Sequence, residues 1–503
     1  MKKIVLATLN ARYSHASIGL RCLFSNLKEL QEEAKVMEFV INENMQAVAE
    51  KILAEEPAIV GIGVYIWNAS DVHDLIEVIK KVSPQTKIVL GGPEAGYLPH
   101  RVNFDSADYV VQGEGEIAFY ELCRALLSGN PPEERIIKAA MVDLKSVELP
   151  YSCYDDNDVE NRMIYVEVSR GCPFLCEFCL SAIDEKVRSF DIDRLLEEFE
   201  KLWQRGVRTF KFIDRTFNLN IKTANRILDF FLAKEPPYFV HFEVIPDHFP
   251  ESLRERISQF PPASLQLEVG IQTLDPQIAA NINRPLKVEK IRENIRFLDE
   301  QTQAHMHLDL IVGLPGESLE GFGTNLDRLV ALTHSEIQIG ILKKLSGTTL
   351  SRHDERYGMV YSDKPPYDIL KNSMLSFSQI QKMKRFSRFW DLTYNSGNFN
   401  QSVGLIWDDG SVFECFWAFS EWVYAQTEST WKISLQRLAR LLFDYLTTEC
   451  DRDQKRVAEA LAEDLLRVGG RALPEYLRVY ATALSKKKGS AVVQHNKRQH
   501  KHA

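Results

Sequence analysis

No stretch of this chain stays apolar for the roughly 20 residues that a membrane-spanning helix needs, so no membrane partner is expected. The opening run in "MKKIVLATLNARYSH" turns polar too soon for a secretory leader. Cysteine is scarce, with eight in 503 residues; that is too few for a disulfide scaffold, and a reducing cytoplasm is the expected location. Positive charge is not in excess either. The formal net charge of −9 argues against a broad nucleic-acid-binding face. The loop "LNARYSHASIGL" after the first apolar run has no Gly-x-Gly-x-x-Gly, which excludes the usual dinucleotide-binding turn.

What is present is ordinary globular composition, 45% hydrophobic and 26% charged, in a chain long enough for two to four domains. The first third alternates short β-branched runs (3–9, 35–40, 58–64, 87–91 and 108–111) with helical patterns. Continuous apolar strands joined by helices predict a parallel sheet covered on both faces, here a five-stranded, doubly wound α/β domain over 1–135. A Pro-containing, acidic stretch over 136–160 reads as a linker. Six further strand–helix repeats begin at 164, 207, 238, 264, 305 and 336, predicting a partial (β/α)6 barrel over 161–355 with its functional groups on the loops after the strands. Residues 356–485 are mostly helical and rich in aromatics, among them Trp390, Tyr394, Phe399, Trp407, Phe413, Phe416, Trp417 and Trp422, which read as a helical core or a cover over substrate. The basic, His-rich end, 486–503, reads as a disordered tail.

Residues 170–179 read "RGCPFLCEFC", which puts Cys172, Cys176 and Cys179 directly after the first barrel strand. Structural zinc wants four ligands, usually as two Cys-x-x-Cys pairs, and only Cys153 lies near. A redox dithiol would use Cys176 and Cys179 and leave Cys172 idle. An iron–sulfur cluster with one thiolate per iron uses all three and leaves one iron open to a small molecule. The stretch resembles the signature of the radical S-adenosylmethionine (SAM) superfamily, Cys-x3-Cys-x2-Cys after the first strand of a partial barrel, with an aromatic residue, here Phe178, before the last cysteine. The resemblance implies a 4Fe–4S cluster on the three cysteines, SAM chelated to the open iron, and its cleavage to methionine and a 5′-deoxyadenosyl radical. It also implies SAM contacts from "FIDRTFN" (Asp214, with Asn218 nearby), from "LEVGIQTLD" (Glu268, Gln272), and from "DLIVGLPGES", where Gly313 and Gly316 would let backbone approach the adenine.

In the first domain, "VLGGPEAGYLP" supplies Gly91 and Gly92, and "DYVVQGEGEIAF" supplies Gly113, Glu114, Gly115 and Glu116. The pair of turns is similar to the cobalamin-binding domain that precedes the barrel in cobalamin-dependent radical SAM enzymes, a resemblance covering about residues 1–350. It implies cobalamin as a third cofactor. Domains that ligate cobalt from below carry Asp-x-His-x-x-Gly; here Tyr13 replaces the Asp and one extra residue separates His15 from Gly19, so no protein nitrogen is expected on cobalt. The implied activity is methylation of an unactivated carbon. The alternatives are a cobalamin-assisted redox rearrangement or cyclisation and, of another class, a non-catalytic B12 sensor. A methylthiotransferase would need a second cysteine trio, and the other five cysteines are scattered. Acidic charge favours a small-molecule substrate over a peptide or tRNA, and the chemistry implies an electron donor such as flavodoxin or ferredoxin.

Overall fold

The computed structural model describes residues 3–408, 410–468 and 471–480, so the 486–503 tail lies outside the described residues. The first sheet contains β1 (Ile4–Asn10), β2 (Ala34–Val40), β3 (Ile59–Gly63), β4 (Lys87–Gly91), β5 (Tyr109–Gln112) and β6 (Ile136–Lys138), all parallel in the order β2-β1-β3-β4-β5-β6. Every residue of β1 is buried, as continuous apolar character predicts for a strand covered on both faces. Two separate cores do the covering. Helices 45–53 and 69–82 pack on one face, and helices 18–25 and 115–127 on the other. The sequence indicates five strands and assigns 136 onward to a linker. The sixth is a three-residue edge strand, "IIK", too short to raise a periodic signal. Strand order reverses between β1 and β3, which opens a crevice at their carboxyl ends.

The second sheet begins with β7 (Ile164–Val166). A small antiparallel hairpin, β8 (Ser169–Arg170) and β9 (Arg188–Ser189), then brackets the cysteine loop. The sheet continues with β10 (Thr209–Phe212), β11 (Phe239–Val244), β12 (Leu265–Gln272), β13 (His305–Val312) and β14 (Glu336–Ile341), parallel and in the order β14-β13-β12-β11-β10-β7. This is the predicted open barrel. Two of its central strands alternate strictly: in β12 and β13 every second residue is buried against the helices, and the others are half-buried and face inward. Parallel register aligns the inward residues in rows, Tyr165–Lys211–His241–Gln266–His305 and Glu243–Glu268–His307–Glu336. A closed (β/α)8 barrel fills this space with branched apolar side chains. Here the interior is polar and hollow.

The carboxyl-terminal region adds a hairpin, β15 (Val360–Tyr361) and β16 (Ile369–Lys371), and helices at 377–393, 412–427, 435–444 and 454–467. The aromatics form a packed core. Trp390, Phe399 and Phe416 are fully buried, and Trp407, Trp417 and Trp422 pack against the same cluster, which is continuous with the barrel's. Along the edge of β14, Ile337 N–H donates to Asn395 Oδ1 (2.9 Å), while Trp390 Nε1 (3.0 Å) and Asn395 Nδ2 (2.9 Å) donate to Ile337 O. These side chains occupy an edge that the open barrel leaves unpaired.

Candidate functional site

The cysteine loop is shaped from its first residue. Gly171 has φ +90°, and a Cβ there would lie 2.3 Å from Lys186 O, so only glycine fits the turn. It presents Cys172 N–H to Asp184 O at 2.8 Å. Cys172, Cys176 and Cys179 then line one cavity of about 350 Å³ with Phe178, Glu268 and Gln272. Burial pushes the Cys172 thiol up. The charges of Cys179 and Cys176 add to this, while the Phe174 amide and Arg284 oppose it. Three thiols this close would repel one another as thiolates, so ionising them calls for a cationic partner. Among the described residues, no three His, Cys, Asp or Glu side chains converge on a single ion. A cluster that gives each thiolate its own iron needs no such convergence, so the donor set fits 4Fe–4S. Arg284 Nη1 donates to Cys176 Sγ at 3.4 Å.

The loop is pinned by a group that sequence reasoning missed. Glu177, between two of the cysteines, is buried, and its carboxylate accepts from His353 Nε2 (2.7 Å) and Arg352 Nε (2.7 Å). Only the placement of a buried acid beside a cysteine hints at it in the sequence.

Glu268 on β12 and Asp309 on β13 face the thiol cavity as a carboxylate pair. Glu268 Oε2 lies 3.1 Å from His241 Nε2. Burial raises its proton affinity, but His241, Lys211 and His307 outweigh this and keep it ionised. Asp309 is pushed the other way, by burial and then by the charges of Glu268 and Glu243, and its Oδ1 is buried without a partner. Gln272 joins them at a bulge in β12. Together they offer acceptors to the amino and hydroxyl groups of a bound ligand.

Four of the expected residues do not line the thiol cavity. Asp214 does not line the thiol cavity: it is buried and accepts from Val168 N (3.0 Å), Ser169 N (2.6 Å) and Ser169 Oγ (2.6 Å), bracing the turn that delivers Cys172. Asn218 likewise pins the loop after β11, through Ile245 and His248. Gly313 has φ +93°, and a Cβ there would sit 2.8 Å from Ile369 Cγ2; at Gly316 it would sit 3.0 Å from Asn281 Nδ2. On their Cβ side these glycines pack against Ile369 of β16 and Asn281, and neither lines the thiol cavity.

The first domain's crevice is a second cavity, of about 370 Å³, lined by Gly91, Gly92, Gly113 and Gly115 together with Gly19 and Gly63. At Gly91 a missing side chain makes space, since a Cβ would meet nothing nearer than 3.9 Å. At Gly92 and Gly115 it would instead strike Val64 O at 2.6 Å and Leu23 Cδ2 at 2.8 Å, so these two let backbone and helix pack close beneath the cavity. Such a cradle fits the slender nucleotide tail of cobalamin. Glu114 and Glu116 line it too, but their carboxylates are held by the barrel. Arg170 Nη2 reaches Glu116 (2.7 Å) and Glu167 (2.7 Å), Arg170 Nη1 reaches Glu114 (3.3 Å), and Arg188 Nη2 reaches Glu114 (2.6 Å).

Between the two lies a third cavity, of about 690 Å³, bounded by His15, Tyr65, Trp67, Tyr165 and Lys211. It shares Gly19, Tyr65 and Arg170 with the glycine-lined cavity, and Arg215 and Glu243 with the thiol cavity. His15 Nδ1 bonds Tyr165 Oη, so a phenol occupies the place of the missing Asp. Burial, then Lys211 and Arg12, disfavours its protonated form.

Three family models cover most of the chain: a B12 binding domain over 4–123, the Radical SAM superfamily over 166–329, and a protein of unknown function (DUF4080) over 355–502. An uncharacterized methyltransferase of Pyrococcus horikoshii is 28% identical over 41% of this chain and 50% of its own length. The cobalamin-dependent radical SAM methyltransferase TokK of Streptomyces tokunonensis is 25% identical over 63% of this chain and 51% of its own. The chain thus spans about half the length of these curated relatives. Among solved structures, the cobalamin-dependent S-adenosylmethionine radical enzyme OxsB, with aqua-cobalamin and S-adenosylmethionine bound, has the same fold: TM-score 0.61 at 12% identity, covering 93% of this chain and 84% of that one. The chain thus carries a B12 binding domain set before a Radical SAM domain, the domain order of the cobalamin-dependent radical SAM enzymes it is similar to.

Proposed function

We propose that this protein is a radical SAM methyltransferase that transfers a methyl group to an unactivated carbon of a small molecule. The carrying observation is the chain of three cavities, in which the middle one shares walls with both the thiol cavity and the glycine-lined one. When bound, the cluster supplies one electron to SAM, and cobalamin supplies a carrier for the methyl group. The chain's own residues do the rest. Cys172, Cys176 and Cys179 hold the iron, Glu268, Asp309 and Gln272 accept hydrogen bonds from SAM, and the Gly91–Gly92 and Gly113–Gly115 turns receive the cobalamin tail. Enclosing walls exclude water from the reacting groups. His15 stays off the cobalt and braces Tyr165. An electron donor such as flavodoxin or ferredoxin, in a reducing cytoplasm, completes the proposal; no described helix is long and apolar enough to cross a membrane. TokK and the Pyrococcus relative, both named as methyltransferases, support the reaction class.

The test is anaerobic reconstitution with iron, sulfide, cobalamin and a reductant, followed by incubation with methyl-labelled SAM. A methyltransferase forms 5′-deoxyadenosine and passes label to cobalamin. 5′-Deoxyadenosine with no label on cobalamin would point to rearrangement or cyclisation. Neither product would mean a sensor.

A further inference from the structure

The ionisable groups around the middle cavity are almost all committed. Arg170 is held by Glu116 and Glu167, and Arg215 Nη1 by both carboxylate oxygens of Glu243 at 2.9 Å. Asp184 pairs with Arg188 at 3.0 Å, and Asp214 accepts from Ser169 and Val168. His15 is bonded to Tyr165. Lys211 is different. It projects from β10 into the cavity wall between Tyr165 on β7 and His241 on β11, neither of them a carboxylate, and its ammonium makes no hydrogen bond or ion pair among the described residues, although its charge is felt by Glu268 and Asp309 deeper in the barrel. Beside it, Tyr65 and Trp67 stack with centroids 4.5 Å apart and form a flat apolar wall.

We propose that Lys211 determines substrate specificity, and that the substrate is a small organic acid whose anionic group the ammonium holds while its apolar body lies against Tyr65 and Trp67. An ammonium already drawn out of bulk water, with no carboxylate in contact, gains most from an anion that supplies one. The proposal rests on the reading above that substrate occupies the middle cavity. SAM and cobalamin carry acid groups of their own, but Lys211 lines neither the thiol cavity nor the glycine-lined one.

The test uses holoprotein with cluster and Co(III) cobalamin and the matched probes 3-phenylpropanoate and 3-phenylpropanamide, followed by ligand-observed NMR. Wild type should bind the acid about ten-fold more tightly than the amide, as for one charge-assisted hydrogen bond. Lys211→Met should lose that preference and Lys211→Arg should keep most of it, with both retaining iron and cobalamin. Equal binding of acid and amide to wild type, no binding of either, or an acid preference that survives in Lys211→Met would overturn the proposal. So would a ten-fold loss of SAM or cobalamin affinity in Lys211→Met, which would tie the lysine to a cofactor, either directly or through Glu268. Absence of 5′-deoxyadenosine from wild type is read separately: it would sink the enzymatic reading whatever the probes show.

Discussion

Arg170 and Glu116 lie 2.7 Å apart across the boundary between the two α/β domains, with the cysteine loop starting two residues after the arginine. One guanidinium therefore joins the turn that shapes the cobalamin crevice to the loop that holds iron. Its Nη1 and Nη2 also reach Glu114 and Glu167, so Glu116 and Glu167 depend on this cation and Glu114 shares it with Arg188. Removing one partner of a buried pair leaves the others uncompensated, at a cost of about 3–5 kcal/mol. Arg170→Met should lower the unfolding free energy by about that much and weaken cobalamin binding, both measurable by denaturant titration of cobalamin-loaded and cobalamin-free protein. Arg170→Lys should restore little, because a point charge cannot span the fork. Unchanged stability in Arg170→Met would show that the acids find other partners.

Iron content separates the cysteines. Single Ala variants at Cys172, Cys176 and Cys179 should each lose the cluster after anaerobic reconstitution, and with it SAM cleavage. Cys153→Ala and Cys415→Ala should match wild type in iron, sulfide and visible absorption. A cluster kept in Cys172→Ala and lost in Cys153→Ala would assign the ligands wrongly.

Gly313→Val separates packing against β16 from contact with a ligand. The added side chain would strike Ile369 of β16 and strain a backbone at positive φ, costing about 1–3 kcal/mol for overpacking and more for the strain. Stability should fall, and Ile369→Ala in the same chain should recover part of it. SAM affinity of the folded double variant should stay within about two-fold of wild type. A selective loss of SAM binding with stability intact would put the glycine back beside the adenine.

Glu317, after β13, gives a pH signature. Burial pushes its carboxyl from 4.5 up to about 8, against the opposing hydrogen bonds from Thr273 and Asn325, and Oε2 is buried without a partner. The folded state thus keeps a proton that the unfolded state releases. The stabilising effect of that proton is complete below pH 4.5 and is lost as pH rises toward 8. Glu317→Gln, which mimics the protonated form, should gain stability relative to wild type across that window, by about 1.4 kcal/mol per unit of difference. A difference between the two proteins that does not grow with pH would show Glu317 ionised in the fold.

The contrast between two pairs of glycines shows what a sequence can convey. Gly91–Gly92 and Gly313–Gly316 both announce a close approach, since glycine removes the same steric barrier whichever group comes near. Only the fold reveals that Gly91 faces open space in a cavity, while Gly92 faces Val64 O, Gly313 faces Ile369 and Gly316 faces Asn281. Asp214 is similar: a carboxylate at a strand end can serve a ligand or a neighbouring turn, and here it serves the turn. The cysteine loop was legible because three thiols at this spacing suit a cluster and little else in thiol chemistry. The rows that line the barrel were not, because which inward residues become neighbours depends on register across six strands. Lys211 draws its meaning from Tyr165 and His241, which lie far from it in the chain.

The seam along β14 bears on how the protein would have to be made and cut. A chain stopped near residue 355 would keep all six barrel strands and lose Trp390 and Asn395, the groups that cover Ile337. The uncovered strand would present free amide and carbonyl groups to any other molecule with a similar edge, which is the template for self-association. The carboxyl-terminal third would then act as an intramolecular chaperone for the barrel, and dissecting the protein at its apparent domain boundary would yield aggregate rather than a minimal enzyme.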